Sequence, residues 1–175
     1  MRLEPLCRLS MRYTEGYWAR PFGGEEGAGF GSGDGTVSGD TLSGTFRWAN
    51  YPRRREDGVW TPNVRGVITT DDGAEVLISI HGQSVTEETP EGLWRAILAR
   101  VEWLTEHERY RWLNTTFVVA EGEIDEETEE IWFEAYACVN DKVEHRPVIG
   151  QAPPERFRQA DRSSDQAFPI RPGGS

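Results

Sequence analysis

Cysteine is nearly absent. The 175-residue chain has two, Cys7 and Cys138, which is neither a disulfide framework nor a paired zinc-ligand pattern. Lysine is scarcer still, since Lys142 is the single one. Schiff-base chemistry is therefore excluded everywhere but at that residue, which follows Asp141 in a polar stretch. The three histidines, His81, His107 and His145, lack metal-ligand spacing, so neither a metal nor a cofactor is expected. No apolar run approaches the roughly 20 residues of a membrane span. Met1 to Ser10 lacks the apolar core of a signal peptide, and a cytoplasmic location is the expectation. Positive charge is also short. With 19 basic against 30 acidic residues the net charge is -11, which repels phosphate backbones and anionic membrane surfaces alike. Neither nucleic acid nor membrane is an expected partner. The glycine-rich segment 22–35 contains no GxxxxGK[ST] and reads as a long flexible loop, or as a lid over a site.

Aromatic residues are plentiful: seven Trp, seven Phe and five Tyr bring enough buried area to fold a chain that is otherwise polar. The length suits one domain, expected over 1–150, and the proline-bearing end 151–175 reads as an irregular or disordered tail. Short segments with period-two alternation follow one another. Leu3 to Tyr13 is a first strand. Leu42, Phe46 and Trp48 share one parity, as do Val64 and Ile68, and Val76, Ile78 and Ile80. Asp71-Asp72-Gly73 is the clearest hairpin turn, because glycine supplies the positive φ that tight turns need. Residues 93–106 fit a helical period and a strand alternation equally well. Thr115 to Ile124 and Glu130 to Val139 are strands around an acidic turn. About eight strands joined by turns indicate an all-β fold, a small antiparallel β-barrel with room for a short helix. Closure in sequence order would make the first and last strands neighbours, bringing Cys7 and Cys138 into one region as reduced, structural thiols.

The segments GTVSGDTLSGT (35–45), DGVWTPNVRGVITTDDGAEV (57–76) and ERYRWLNTTFVVAEGEI (108–124) resemble a domain-of-unknown-function family, serial 3237, over most of residues 1 to 140. The run Arg65 to Gly73 and the Tyr-x-Trp-Leu-Asn run, Tyr110 to Asn114, are its most specific parts. The resemblance implies an all-β barrel-like domain in which 93–106 is a strand. It brings no established reaction. In the family pattern an Asp commonly stands two residues before the arginine; here that position is Asn63, which can accept a hydrogen bond but cannot act as a carboxylate base.

Several residues have the chemistry for a site inside such a barrel. Arg65, mid-strand between valines, is a candidate anchor for an anion or carbonyl, against a plain structural role. His81 shares a polar stripe with Ser79 and Gln83, either a solvated face or a lumen lining where an imidazole moves protons. Glu134 lies between Trp132 and Tyr136, as an exposed ladder residue or as a carboxyl of raised pKa. Arg65, His81 and Glu134 are the candidate catalytic set. Trp48, Trp60, Asn63, Trp112, Asn114 and Tyr136 are candidate ligand contacts, each set against a packing role. The leading expectation is a small-molecule-binding barrel, its ligand aromatic or carbonyl-containing, catalysing a cofactor-free acid–base step such as isomerisation or cyclisation. The alternative is a non-catalytic binder or a self-associating structural protein, with a homodimer over a filled barrel as its signature.

Overall fold

A computed structural model describes residues 1–90 and 92–141; the tail expected over 151–175 lies outside the described residues. The strands are β1 (Arg2–Ala19), β2 (Gly27–Ser38), β3 (Gly44–Asn50), β4 (Arg53–Arg54), β5 (Trp60–Thr61), β6 (Asn63–Thr70), β7 (Glu75–Thr89), β8 (Gly92–Leu104), β9 (Val118–Asp125) and β10 (Glu130–Val139). A 3-10 helix, Glu108–Thr115, joins β8 to β9. Eight long strands form an antiparallel meander in sequence order, and β1 pairs with both β2 and β10 to close the ring. The fold is thus a β-barrel, and 93–106 is the strand that the family resemblance implies.

Parity decides what faces inward. β3 buries Phe46, Trp48 and Asn50 and turns Thr45 and Arg47 outward. β7 buries Val76, Ile78 and Ile80, β8 buries Ile97, Ala99, Val101 and Trp103, and β10 buries Ile131, Phe133, Ala135 and Ala137. Period-two alternation on every strand gives one apolar face, and closure turns that face into the core. The lumen is filled along its middle by these side chains, with Phe46, Ile68, Val76, Ile80 and Val118 fully buried. An open lumen lined by a polar stripe is therefore corrected to a packed interior.

Segment 22–35 is the second correction, because most of it is strand β2, hydrogen-bonded to β1 and β3. Glycine recurs at 27, 29, 31, 33 and 35, every second position, so all five face one side of the strand. A Cβ at Gly33 would overlap the Arg12 carbonyl oxygen and crowd the Trp48 ring, and one at Gly29 would enter the Trp18 ring. The missing side chains make room for the large ones of the neighbouring strands. Flexibility is what glycine permits, but here hydrogen bonds on both edges remove it.

Cys7 lies opposite Ala135 and Cys138 opposite Leu3, so both thiols sit on the β1–β10 seam, and both are free. Burial first, then the Glu134 carboxylate, pushes the Cys7 thiol up to about 12, which makes it inert. β1 accommodates an extra residue between Pro5 and Cys7, next to a proline that has no N–H to give the ladder.

Gly33→Ala is expected to cost about 1–3 kcal/mol through overpacking. A urea midpoint no lower than that of the wild type would contradict this account of β2.

Candidate functional site

The two barrel ends differ in kind. At the first end, the β6–β7 hairpin meets the 3-10 helix. Asp72 accepts hydrogen bonds from the Thr70 hydroxyl at 2.5 Å, the Tyr110 hydroxyl at 2.8 Å and Arg109 Nη1 at 2.8 Å. The Thr70 hydrogen bond, then the one from Tyr110, holds the Asp72 carboxyl down at about 2. Asn114 accepts from the Thr105 backbone N–H and donates to the Thr105 carbonyl, both at 2.9 Å, and so imitates a strand partner. Tyr110, Trp112 and Leu113 are buried and close this end as a plug. Trp112 and Asn114, expected as ligand contacts, are here parts of that closure.

Arg65, His81 and Glu134 lie on the outward parity of their strands, not in the lumen. The physical reason is register: Val64 and Ile68 face in, as do Ile78 and Ile80, and so do Phe133 and Ala135, which leaves the intervening residues outside. Arg65 is exposed and donates to Ser79 Oγ at 2.6 Å. His81 lies opposite Asn63 on β6 and Arg100 on β8, and burial, then Arg65, pushes its imidazole below the ordinary value. Glu134 is on β10, with β8 and β9 between it and β7, and pairs with Arg8 at 3.4 Å. Burial raises its carboxyl while Arg8 lowers it. The three do not converge. Tyr136 is also outside and donates to Glu121 Oε1 at 2.8 Å. An open groove of about 350 Å³ runs along this outer face, beside Arg8, Arg12, Asp34 and Trp132.

The second end holds a different set. There β3 and β6 stop short, and the β4–β5 hairpin takes their place in the wall between β2 and β7. Inward parity continues past the apolar core into Tyr13, Trp18, Arg54, Trp60 and Arg95. Trp60 is the hub: its ring lies 4.7 Å from that of Trp18, 4.2 Å from the Arg95 guanidinium and 5.4 Å from that of Arg54. Arg95 pairs with Glu126 of the β9–β10 turn, and Arg54 with Glu25 of the β1–β2 turn. Tyr13 meets Trp48 edge-on at 4.7 Å, and its hydroxyl accepts from Asn50 Nδ2 at 2.8 Å. Asn50 Oδ1 in turn accepts from the Asn63 backbone N–H at 2.9 Å, which ties the hydroxyl to β6. Of the expected ligand contacts, Trp48 and Trp60 are brought to this end, while the Asn63 side chain lies on the outward parity, opposite His81.

Burial raises the Tyr13 phenol, and the carboxylates of Glu129 and Glu126 add to that, while Asn50 and Arg95 oppose it. The phenol is thus protonated at neutral pH, and with Asn50 donating to its oxygen, its own proton is available to another acceptor. Glu129 has φ of 58°, left-handed backbone, alone in this among the described non-glycine residues. Three buried donor atoms at the mouth have no hydrogen-bond partner: Trp18 Nε1, Arg54 Nε and Arg95 Nε. Aromatic rings, two guanidiniums, a neutral phenol and carboxylates thus meet at this end, groups whose chemistry covers stacking, charge pairing and proton exchange. Tyr13, Trp18, Arg54, Arg95, Glu126 and Glu129 escaped sequence reasoning. The signal for Arg95 was present, since it extends the Ile97, Ala99, Val101, Trp103 parity with a charge.

The model of the family described as "Protein of unknown function (DUF3237)" matches residues 1–138. The chain belongs to this family. Its architecture is shared by solved structures. A beta-barrel like protein from Acinetobacter baumannii AYE has a TM-score of 0.69 at 19% identity, covering 78% of this chain and 94% of that one. A protein of unknown function from Clostridium acetobutylicum ATCC 824 has a TM-score of 0.69 at 17% identity, covering 79% and 100%. A protein described as an enzyme from Penicillium herquei has a TM-score of 0.56 at 21% identity, covering 77% and 93%. At these identities the likeness is one of fold. No protein of curated function matches the chain. Among the described residues, no group of His, Cys, Asp and Glu is arranged to hold a metal ion. No helix there is long and apolar enough to cross a membrane.

Two expectations test the two ends. The depressed Asp72 carboxyl contributes stability above its unfolded value of about 3.9, and loses it as pH falls through about 2. Asp72→Asn should lower Tm at pH 7, and the gap to the wild type should narrow between about pH 4 and pH 2. A gap constant over that range would contradict the clamp. Glu129→Gly relieves left-handed backbone at the other end, and should raise stability by up to about 1 kcal/mol in denaturant titration.

Proposed function

We propose that this protein binds a small organic molecule at the mouth framed by Trp18, Trp60 and Arg95, and catalyses a cofactor-free proton transfer on it, of the isomerisation or cyclisation type. The observation that carries this reading is the neutral Tyr13 phenol set beside Arg95 and the Glu126–Glu129 turn, on inward parity at the end of a barrel otherwise filled. Arg95 would anchor a charged oxygen of the substrate, and Tyr13 would donate a proton to an oxygen on which negative charge develops. Glu129, whose carboxylate acts on the Tyr13 phenol more strongly than that of Glu126, would be the proton acceptor. Its strained backbone fits a residue kept for function at a cost in stability. When Glu129 returns its proton to another carbon of the substrate and the Tyr13 phenolate takes a proton back from the oxygen, both groups are restored, so no cofactor has to be regenerated.

The mouth replaces Arg65, His81 and Glu134 as the catalytic set, and keeps Trp48 and Trp60 from the sequence-derived ligand contacts. The test is a thermal-shift screen against small carboxylates, lactones and conjugated aromatic ketones, followed by product analysis of each hit. For a compound that is turned over, Tyr13→Phe should lower kcat by about 10²–10⁴ with KM little changed. Turnover that survives Tyr13→Phe unaltered would remove the phenol from the mechanism. Hits recovered unchanged would make the protein a binder.

A further inference from the structure

We infer that the ligand of this mouth is a carboxylate, and that Glu126 occupies its place on Arg95 until it arrives. The inference rests on the mouth being the binding site and names what the site takes. Arg95 is the inward-facing cation at the end of β8, and its side chain is 13% exposed. A planar guanidinium presents a fork of N–H groups that matches a carboxylate with two parallel bonds. Glu126 makes that match imperfectly. Its Oε1 lies 2.6 Å from Arg95 Nε, yet that N–H is not aligned for a hydrogen bond, and the bond that does form is Nη2 to Oε2 at 3.2 Å. The reason is the tether. Glu126 belongs to a tight turn whose N–H groups at Glu127 and Thr128 are capped by Asp125, and its own N–H bonds the Leu93 carbonyl at 3.3 Å. A free carboxylate has no such tether, and can align both oxygens with the fork.

The surroundings ask for the same kind of guest. Arg54 faces the same Trp60 ring, and its Nη1 is held by Glu25 of an exposed turn. Its Nε and the Trp18 indole N–H are buried donors without an acceptor. The mouth interior is thus donor-rich, and the acids that answer its cations reach in from two turns. A buried donor left unmade costs about 1–3 kcal/mol, which an acceptor-bearing ligand recovers. Glu126 can give way because its side chain is 31% exposed and sits on a turn, free to swing into water when displaced. It acts as a self-occupying latch: it keeps Arg95 oriented and paired in the empty protein, and competes with any anion that enters.

Isothermal titration of the full chain with 2-naphthoate and its neutral isostere 2-naphthamide tests this. Wild type should bind the acid about tenfold more tightly than the amide, the difference a charge-assisted pair makes. Glu126→Gln removes the competing charge and should tighten naphthoate by at least about threefold, leaving the amide unchanged. Arg95→Gln should erase the preference for the acid. Glu102→Gln, on the outer face of β8 beside Arg100, should titrate like the wild type. Should acid and amide bind equally, or Glu126→Gln fail to tighten the acid, the carboxylate inference falls while the binding reading of the mouth stands. Should neither compound bind wild type or Glu126→Gln, with both folded by circular dichroism, both readings fall.

Discussion

Closure of β1 onto β10 is the constraint on which the rest depends. It removes the open edges that would pair with other chains, and turns every strand's apolar parity toward one axis. Eight strands enclose a space just wide enough for side chains. Here that space is taken by Phe46, Phe133, Trp48 and a ring of branched aliphatics. Such a core has to alternate large with small. Gly122 lies opposite Phe133 and Gly66 opposite Trp48, positions where a Cβ would strike the neighbouring strand. A filled middle leaves only the ends for chemistry.

The ends have divided the work. One is locked by a polar clamp in which each partner is satisfied locally: Asp72 by Thr70, Tyr110 and Arg109, and Asn114 by the Thr105 backbone. The clamp's own groups are answered, and the buried donor left without an acceptor at this end is the Trp103 indole N–H, beside the clamp on β8. The other end has leftover donors, cations answered only from turns, and one non-glycine residue in left-handed backbone. Satisfied networks rigidify, and unsatisfied ones mark where something else belongs.

The sequence made the fold legible because parity survives closure: the apolar faces of β3, β6, β7 and β10 could be read residue by residue. It misled at β2, where glycine on alternate positions looks like a loop unless the aromatic partners are known, and those stand on β1 and β3, far off in the chain. The site was less legible for a related reason. The TDDG and Tyr-x-Trp-Leu-Asn runs drew attention as the most distinctive motifs, but they are distinctive because they grip each other across the closed end. Arg65 invites a cavity-anchor reading because it lies mid-strand, with Val64 and Gly66 on either side. Flanking residues on a strand point the other way, so the informative comparison is with Val64 and Ile68, and it sets Arg65 outside. The same comparison applied to β8 sets Arg95 inside. Glu126 and Glu129 could not be found this way, because turns have no parity.

An acidic chain with arginine pairs at its mouth also explains why arginine rather than lysine serves there. Arg54 and Arg95 face one indole, at 5.4 and 4.2 Å from its ring. A lysine ammonium is compact and strongly hydrated, so it would give up more water to reach that position and would lose its proton more readily on burial. A guanidinium is planar, weakly hydrated and charged at every accessible pH, so it can stack on Trp60 and still offer N–H groups edgewise. Two such groups repel each other less when each has a carboxylate at its edge, which is what Glu25 and Glu126 supply in the empty protein. The net charge of -11 works against any approaching anion at long range. Discrimination at this mouth therefore has to come from contact geometry, where a flat guanidinium fork over an aromatic floor is selective, rather than from electrostatic steering.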